Sequence, residues 1–506
     1  MKLNASLLND LSALRDKGYA VPEYDVAAMK ARTLEKPQWV HFGPGNIFRA
    51  HIARAHQELL NKGGFDTGII AFTGKGSQTI AQAYAPFDNL CLSVSLKASG
   101  SMDRTLAASV AEAYTLEGEG WKRAQQVFTA PSLMLASFTI TEKGYSPASY
   151  QADLTARPEE ASTLLGQVAY LLKLRLNAGG LPMTLVSMDN CSQNGTKLKN
   201  ALLALAEVWK DDDLRAYIDE KIACPWTMID KITPRPDQRV LALLEKDGFE
   251  GISPVVTPRG TYVAPFVNAE EKEYLVIEDD FPNGRPPLEQ VGFYFARRDT
   301  VAAVEKMKVT VCLNPLHTAL AVFGCVLGYD AIWKETADPE LAKLIRVIGY
   351  QEGLPVAPDP GIFAPKQFLD EVVNDRLPNS FLPDTPQRIA TDTSHKVAVR
   401  FGETIRSYTE KTGTAANLVG IPLALAGWLR YLDGVDDEGN PFTLSDDPRL
   451  ESLKARTAEE IAADADIFGV DLKAAGLYDK VLGYLAEMRQ GKGAVRATLK
   501  RHLEQA

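Results

Sequence analysis

The sequence is poor in the groups that announce a metal enzyme. Histidine occurs six times in 506 residues and cysteine five times, as Cys91, Cys191, Cys224, Cys312 and Cys325. No His-Glu-x-x-His or paired-cysteine spacing occurs, so no metal site is expected. An odd number of scattered cysteines argues against a disulfide framework and for reduced thiols, as in a cytoplasm. Positive charge is also scarce: 55 Lys and Arg stand against 65 Asp and Glu, a net charge of -10. That balance argues against nucleic acid as a partner and requires any anionic ligand to find a local cluster of cations. Long apolar runs are missing. Met1-Lys2-Leu3-Asn4 opens no signal core, and the most apolar stretch, Thr318 to Tyr329, is too short to span a bilayer. No membrane partner is expected.

What is present fits two substantial domains of ordinary globular composition, 45% hydrophobic and 24% charged. Residues 1–36 read as an amphipathic lead-in, with Leu7, Leu8, Leu11 and Leu14 at helical spacing. A strand then runs into the turn Gly43-Pro44-Gly45-Asn46, a helix continues through Leu60, and a second strand covers Thr67 to Phe72. This is a strand-turn-helix-strand unit with a phosphate-binding turn in the right place. Phe48 stands where a third glycine is usual, and no acid ends the second strand. Thr73, Lys75 and Ser77 stand there instead, placed either to meet a 2′-phosphate or simply to be solvated.

Two more apolar strands end in polar residues: Leu133 to Ile140 runs into Thr141-Glu142-Lys143-Gly144-Tyr145, and Met183 to Met188 into Asp189-Asn190. Ligands of open α/β sheets collect at such carboxyl ends. Asn190 there is either a helix cap or a ligand. Turn residues from Asp279 to Pro287 mark a domain boundary, with an α/β region over 1–284 and mainly helical spacing over 285–506.

The densest chemistry lies in Glu305-Lys306-Met307-Lys308 and Leu313-Asn314-Pro315-Leu316-His317. Asn-Pro before an apolar run predicts an N-cap at Asn314 and proline at the first helical position, with His317 on the same face. An amide donor, an imidazole and a desolvated lysine together suit moving a proton on and off a secondary alcohol. A solvated lysine, a helix start and a core histidine would give the same letters. Farther on, Gln387 to Arg400 packs Arg388, Lys396, Arg400 and His395 into a short stretch, which is either a solvated helix start or a seat for an anion.

Glu305-x-x-Lys308, followed by Leu313-Asn314-x-x-His317-x-x-Leu320-Ala321, resembles the catalytic stretch of the mannitol dehydrogenase family, the polyol-specific long-chain dehydrogenases. Four further motifs fall in family order. They are Gly43-x-Gly45 with Phe48-Arg49-Ala50-His51; Thr139-x-Thr141-Glu142-Lys143-Gly144-Tyr145; Ser187-x-Asp189-Asn190-x-x-x-Asn194-Gly195; and Ile229-Asp230-Lys231-Ile232-Thr233-Pro234-Arg235-Pro236, whose form is nearest the fructuronate reductase branch.

The resemblance implies a Rossmann-type N-terminal domain, a mainly α-helical C-terminal domain, a site in the cleft between them, and a monomer. It implies NAD as cofactor, with NADP open, held by Gly43, Gly45, Asn46, Phe48, Arg49, Thr139, Thr141, Glu142 and Lys143. Lys308 would be the general base, Asn190, Asn314 and His317 would bind the reacting oxygen, and Glu305 would gate proton release. Asp230, Arg235, Arg388, Lys396 and Arg400 would hold the substrate. The implied reaction interconverts D-mannonate and D-fructuronate. Altronate with tagaturonate, mannitol, or a non-catalytic sugar-acid sensor are the alternatives. One departure stands out: the family has four residues between lysine and asparagine, and this chain has five. Either the backbone bulges by one residue or Lys306 is the base.

Overall fold

The computed structural model describes residues 1–258 and 260–506. Six strands form one sheet: β1 (Trp39–Phe42), β2 (Ile69–Thr73), β3 (Val110–Thr115), β4 (Leu135–Phe138), β5 (Met183–Ser187) and β6 (Ile222–Ala223). Their order is β3-β2-β1-β4-β5-β6, and every pairing is parallel. Every residue of β1, β2, β4 and β5 is buried. Helices covering both faces explain why these segments read as continuous apolar runs rather than alternating ones. On one face Phe42 stacks against Phe138 and Phe72; on the other Trp39, Ile69 and Leu135 pack against Phe48, Ile52 and Leu59. Strand order reverses at β1, so the crevice between the carboxyl ends of β1 and β4 is the place for a ligand.

A three-stranded sheet follows, of β7 (Thr227–Asp230), β8 (Tyr274–Glu278) and β9 (Tyr294–Ala296). The lead-in is not the single amphipathic helix its leucines predict. It breaks into Ala5–Asn9 and Ser12–Asp16, because Asn4 and Asp10 accept hydrogen bonds from the backbone N–H groups of Ser6 and Ser12. Of the four leucines at helical spacing, Leu7, Leu8, Leu11 and Leu14, only Leu14 is buried, and Tyr19–Ala20 joins a separate sheet beside Arg104 and Thr105.

The chain divides into two compact units, Met1–Leu96 with Ser101–Val301, and Lys97–Gly100 with Ala302–Ala506. The turn-rich Asp279 to Pro287 lies inside the first unit, because β9, beyond it, pairs with β8. The second unit is helical. Gly420–Tyr431, buried at every residue, packs against Asn314–Leu327 and Tyr478–Met488. Gly427 permits the first contact, since a Cβ there would sit 2.5 Å from the Phe323 ring. The helix Arg298–Leu327 is long and apolar enough to cross a membrane, yet 83% of its apolar window is buried inside the protein. Among the described residues five helical segments are wound as π-helix, including Phe48–Ala53 and Lys308–Cys312.

Candidate active site

The turn after β1 is fixed by sterics. Gly43 has φ +85°, and a Cβ there would lie 2.3 Å from the Thr139 carbonyl oxygen. The Gly43 N–H donates to Phe72 O at 2.9 Å, and the Thr139 hydroxyl donates to Gly43 O at 2.7 Å, so β2 and β4 both hold the turn. Gly45 is different: an added Cβ would meet only Gly43 O, at 3.8 Å. The face over Gly45 is therefore open, and a turn with bare backbone at a strand's carboxyl end fits a dinucleotide pyrophosphate.

Two residues expected to touch the cofactor turn inward instead. Phe48 is fully buried and stacks on His41 with ring centres 3.9 Å apart. Arg49 is 2% exposed; it donates to Ala264 O at 2.6 Å and to Asn46 Oδ1 at 3.0 Å. Its guanidinium ties the turn to a distant segment, while Asn46 stays half-buried at the turn. Burial pushes the pKa of His41 down to about 3, so this ring is a neutral strut.

At the end of β4, Thr141 has φ +66° and ψ 160°, a conformation almost reserved for glycine. Asp189 holds it there. Its carboxylate accepts from Thr141 N at 2.8 Å, Ile140 N at 2.9 Å and the Tyr145 hydroxyl at 2.5 Å. Burial raises the pKa of Asp189 above the usual carboxylate value, although these donors oppose that. Glu142 and Lys143 are exposed on the resulting turn, with Glu142 paired to Lys197.

Asn190 is exposed and does not cap the next helix, whose cap position is Gln193. Asn194 lies fully buried, donating to Asp189 O and Thr227 O and accepting from Thr227 N. It stitches β5 to β7, and Gly195 is required because a Cβ would lie 2.3 Å from Cys224 O. Asp189 and Asn194 stood in the sequence motif without an assigned role.

Asp230 closes β7 and is buried. Lys231 beside it is 8% exposed and pairs with Glu273 at 2.7 Å; Arg54 reaches the same carboxylate, and His51 Nε2 is 3.9 Å away. Burial opposes ionisation of Glu273, but His51, Lys231 and Arg54 overcome it and hold the pKa at about 2. Arg235, by contrast, is exposed and lies over the Tyr262 ring at 5.0 Å.

In the second unit the residue in excess of the family spacing is taken up by the π-turn Lys308–Cys312, closed by Leu313 N–H to Lys308 O at 3.1 Å. Lys308 is 3% exposed, whereas the Lys306 side chain is 52% exposed and pairs with Glu403 at 3.7 Å. Glu305 is half-buried. Asn314 is not the N-cap: Leu313, with φ -122° and ψ -61°, holds that position between the π-turn and the helix, and Asn314 is the first residue of Asn314–Leu327. Its amide is thus not spent on the backbone of its own helix.

His317 follows on the same face. Asp384 Oδ2 is 3.4 Å from its Nε2, which has no hydrogen-bond partner among the described residues. Burial, with help from Arg400, Arg388 and Arg376 and against Asp384, lowers the His317 pKa to about 4. The ring is neutral at pH 7. Arg388 pairs with Asp384 and Arg400 donates to Thr318, so both cations converge on the His317 turn. The Lys396 ammonium donates to Thr391 O; burial, then Arg400, lowers its pKa. Burial also brings Arg400 down to about 10, still a cation at pH 7. Asp384, which orders this cluster, had no motif to mark it. No group of three or more metal-ligating side chains occurs among the described residues.

Two family models match the chain, "Mannitol dehydrogenase Rossmann domain" over residues 37–290 and "Mannitol dehydrogenase C-terminal domain" over 300–482. The D-mannonate oxidoreductase of Thermotoga maritima is 44% identical, with 99% of this chain and 98% of the relative aligned. Among solved structures, a substrate-free D-sorbitol dehydrogenase superposes with TM-score 0.84 at 26% identity, over 99% of this chain and all of the other. The Pseudomonas fluorescens mannitol 2-dehydrogenase, a ternary complex with NAD and D-mannitol, gives TM-score 0.74 at 26% identity over the full length of both.

Proposed function

This chain belongs to the mannitol dehydrogenase family, and on that footing we propose that it is an NAD-dependent oxidoreductase interconverting D-mannonate and D-fructuronate. The observation that carries the choice of a sugar acid over a neutral polyol is the gathering of Arg388 and Arg400 about His317, with Lys396 near both arginines, in a protein of net charge -10. A carboxylate is the substrate group such a cluster suits. Its relative from Thermotoga maritima, named for D-mannonate, supports the same reading.

Bound NAD supplies the hydride acceptor. Lys308, held on the π-turn in a buried position, accepts the proton of the reacting hydroxyl. Asn314 and the neutral His317, one helical turn apart, donate to that oxygen as its charge develops. A single preorganised donor of this kind is worth roughly 3 kcal/mol of barrier. Glu305, one turn before Lys308 and half-buried, passes the proton towards solvent. Asp230 accepts from a substrate hydroxyl.

The test is an absorbance assay of nicotinamide reduction by the purified protein with D-mannonate, D-altronate and D-mannitol in turn. Turnover of D-mannonate well above the other two is expected. Turnover of mannitol alone would reduce the cationic cluster to ordinary surface, and turnover of altronate alone would move the substrate assignment to the other uronate.

A further inference from the structure

The end of β2 lacks what a site built only for NAD uses. In this strand order the adenosine ribose lies over the carboxyl end of β2, where an acid normally binds its 2′-hydroxyl and turns away a 2′-phosphate. No Asp or Glu occurs from Thr73 to Phe87. That segment belongs to the glycine turn physically: Gly43 N–H donates to Phe72 O, and the Tyr84 hydroxyl donates to Pro44 O at 2.8 Å. Between these two anchors the loop reads Thr73-Gly74-Lys75-Gly76-Ser77-Gln78-Thr79.

Its layout is open. Lys75 is exposed and has no ion-pair partner among the described residues, and a Cβ on Gly74 or Gly76 would meet nothing within 4 Å. The Ser77 hydroxyl lies 3.3 Å from the Thr79 hydroxyl and accepts from Thr79 N–H, which places two hydroxyls side by side after the lysine. Glu117, the first acid past β3, lies one strand farther from the glycine turn, since β2 separates β3 from β1.

We propose that the Thr73–Thr79 loop is a 2′-phosphate site formed by Lys75, Ser77 and Thr79, through which the enzyme accepts the phosphorylated dinucleotide as well as NAD. This rests on the cofactor reading above. The test is direct binding, by calorimetry, of 5′-AMP and of 2′,5′-ADP to the whole protein and to its Lys75→Ala and Lys75→Glu variants. The parent is expected to bind 2′,5′-ADP at least as tightly as 5′-AMP. Lys75→Ala should weaken 2′,5′-ADP about fivefold or more and leave 5′-AMP unchanged, and Lys75→Glu should weaken it more than tenfold. Binding of 5′-AMP with 2′,5′-ADP tenfold weaker in the parent overturns the phosphate site and leaves the NAD reading standing. Equal weakening of both nucleotides by Lys75→Ala overturns it too. Binding of neither nucleotide overturns the cofactor reading itself.

Discussion

The tightest mechanical link near the cofactor turn is Asp189, and its replacement by Asn has a calculable effect. Thr141 sits at φ +66° and ψ 160°, which costs about 1–3 kcal/mol. Against that cost stand three donors on one carboxylate, with Thr141 N on Oδ1 and both Ile140 N and Tyr145 on Oδ2. An amide keeps one oxygen and turns an NH₂ towards the other set, so whichever way it faces at least one bond is lost. A hydrogen bond to a charged group is worth about 1.5–3 kcal/mol. Loss and strain are then of equal size, and the turn carrying Glu142 and Lys143 relaxes. Asp189→Asn should lower kcat/KM by about ten- to a hundredfold, since about 1.4 kcal/mol is a factor of ten. Tyr145→Phe, which removes one donor and keeps the carboxylate, should cost less. Initial rates with D-mannonate and NAD, taken with melting curves, measure both. An Asp189→Asn enzyme within twofold of the parent would show that the turn keeps its shape unaided and would refute this reasoning.

Lys308→Ala should lower turnover by at least a hundredfold while NADH fluorescence titration still shows binding, and Lys306→Ala should stay near normal; the reverse pattern would make Lys306 the base. At the glycine turn, Gly43→Ala meets both a positive φ, at about 1–2 kcal/mol, and a backbone oxygen at 2.3 Å. It should lower the melting temperature and NADH binding together, whereas Gly45→Ala should weaken NADH binding and leave melting unchanged. Glu335 is fully buried with neither carboxylate oxygen hydrogen-bonded among the described residues, and burial, then Asp338, lifts its pKa from an ordinary 4.5 to about 10. Folded, it stays protonated; unfolded, it ionises above its ordinary value. Its contribution is therefore complete below pH 4.5 and declines as pH rises towards 10, by at most about 1.4 kcal/mol per unit. Glu335→Gln should shed that slope, so its melting temperature relative to the parent should rise between pH 5 and pH 8.5; a constant difference would contradict the burial argument.

Much of the first unit was legible because its chemistry is local. Buried parallel strands read as apolar runs, and Gly43 is required by a backbone angle that its neighbours in sequence already suggest. Arg49, a cation beside a phosphate-binding turn, looks like a ligand in sequence, but its partner, Ala264 O, comes from a loop over two hundred residues away. Glu273 was invisible for a related reason: Glu270-Glu271-Lys272-Glu273 reads as a solvated run, yet Glu270 is 1% exposed and Glu273 is enclosed by Lys231, Arg54 and His51. The cationic cluster could be spotted by charge density, but its organiser, Asp384, follows a proline in an undistinguished loop and shows itself only in space. The extra residue after Lys308 was legible as a count and not as a shape.

That shape changes how the chain should be compared with others. An α-helix advances about 100° per residue, so an extra residue in regular helix would rotate everything before it against everything beyond it, whereas one wound into a π-turn leaves both flanks in phase. An alignment that tolerates no gap in this helix would set Val309 opposite the lysine of its relatives and score the base as lost. Deleting one residue between Val309 and Leu313 would convert the π-turn to regular helix at the family spacing and leave the Lys308 side chain on its present side of the helix. The π-turn here uncouples sequence length from helical phase, and the extra residue it holds is one that no substitution scan would detect.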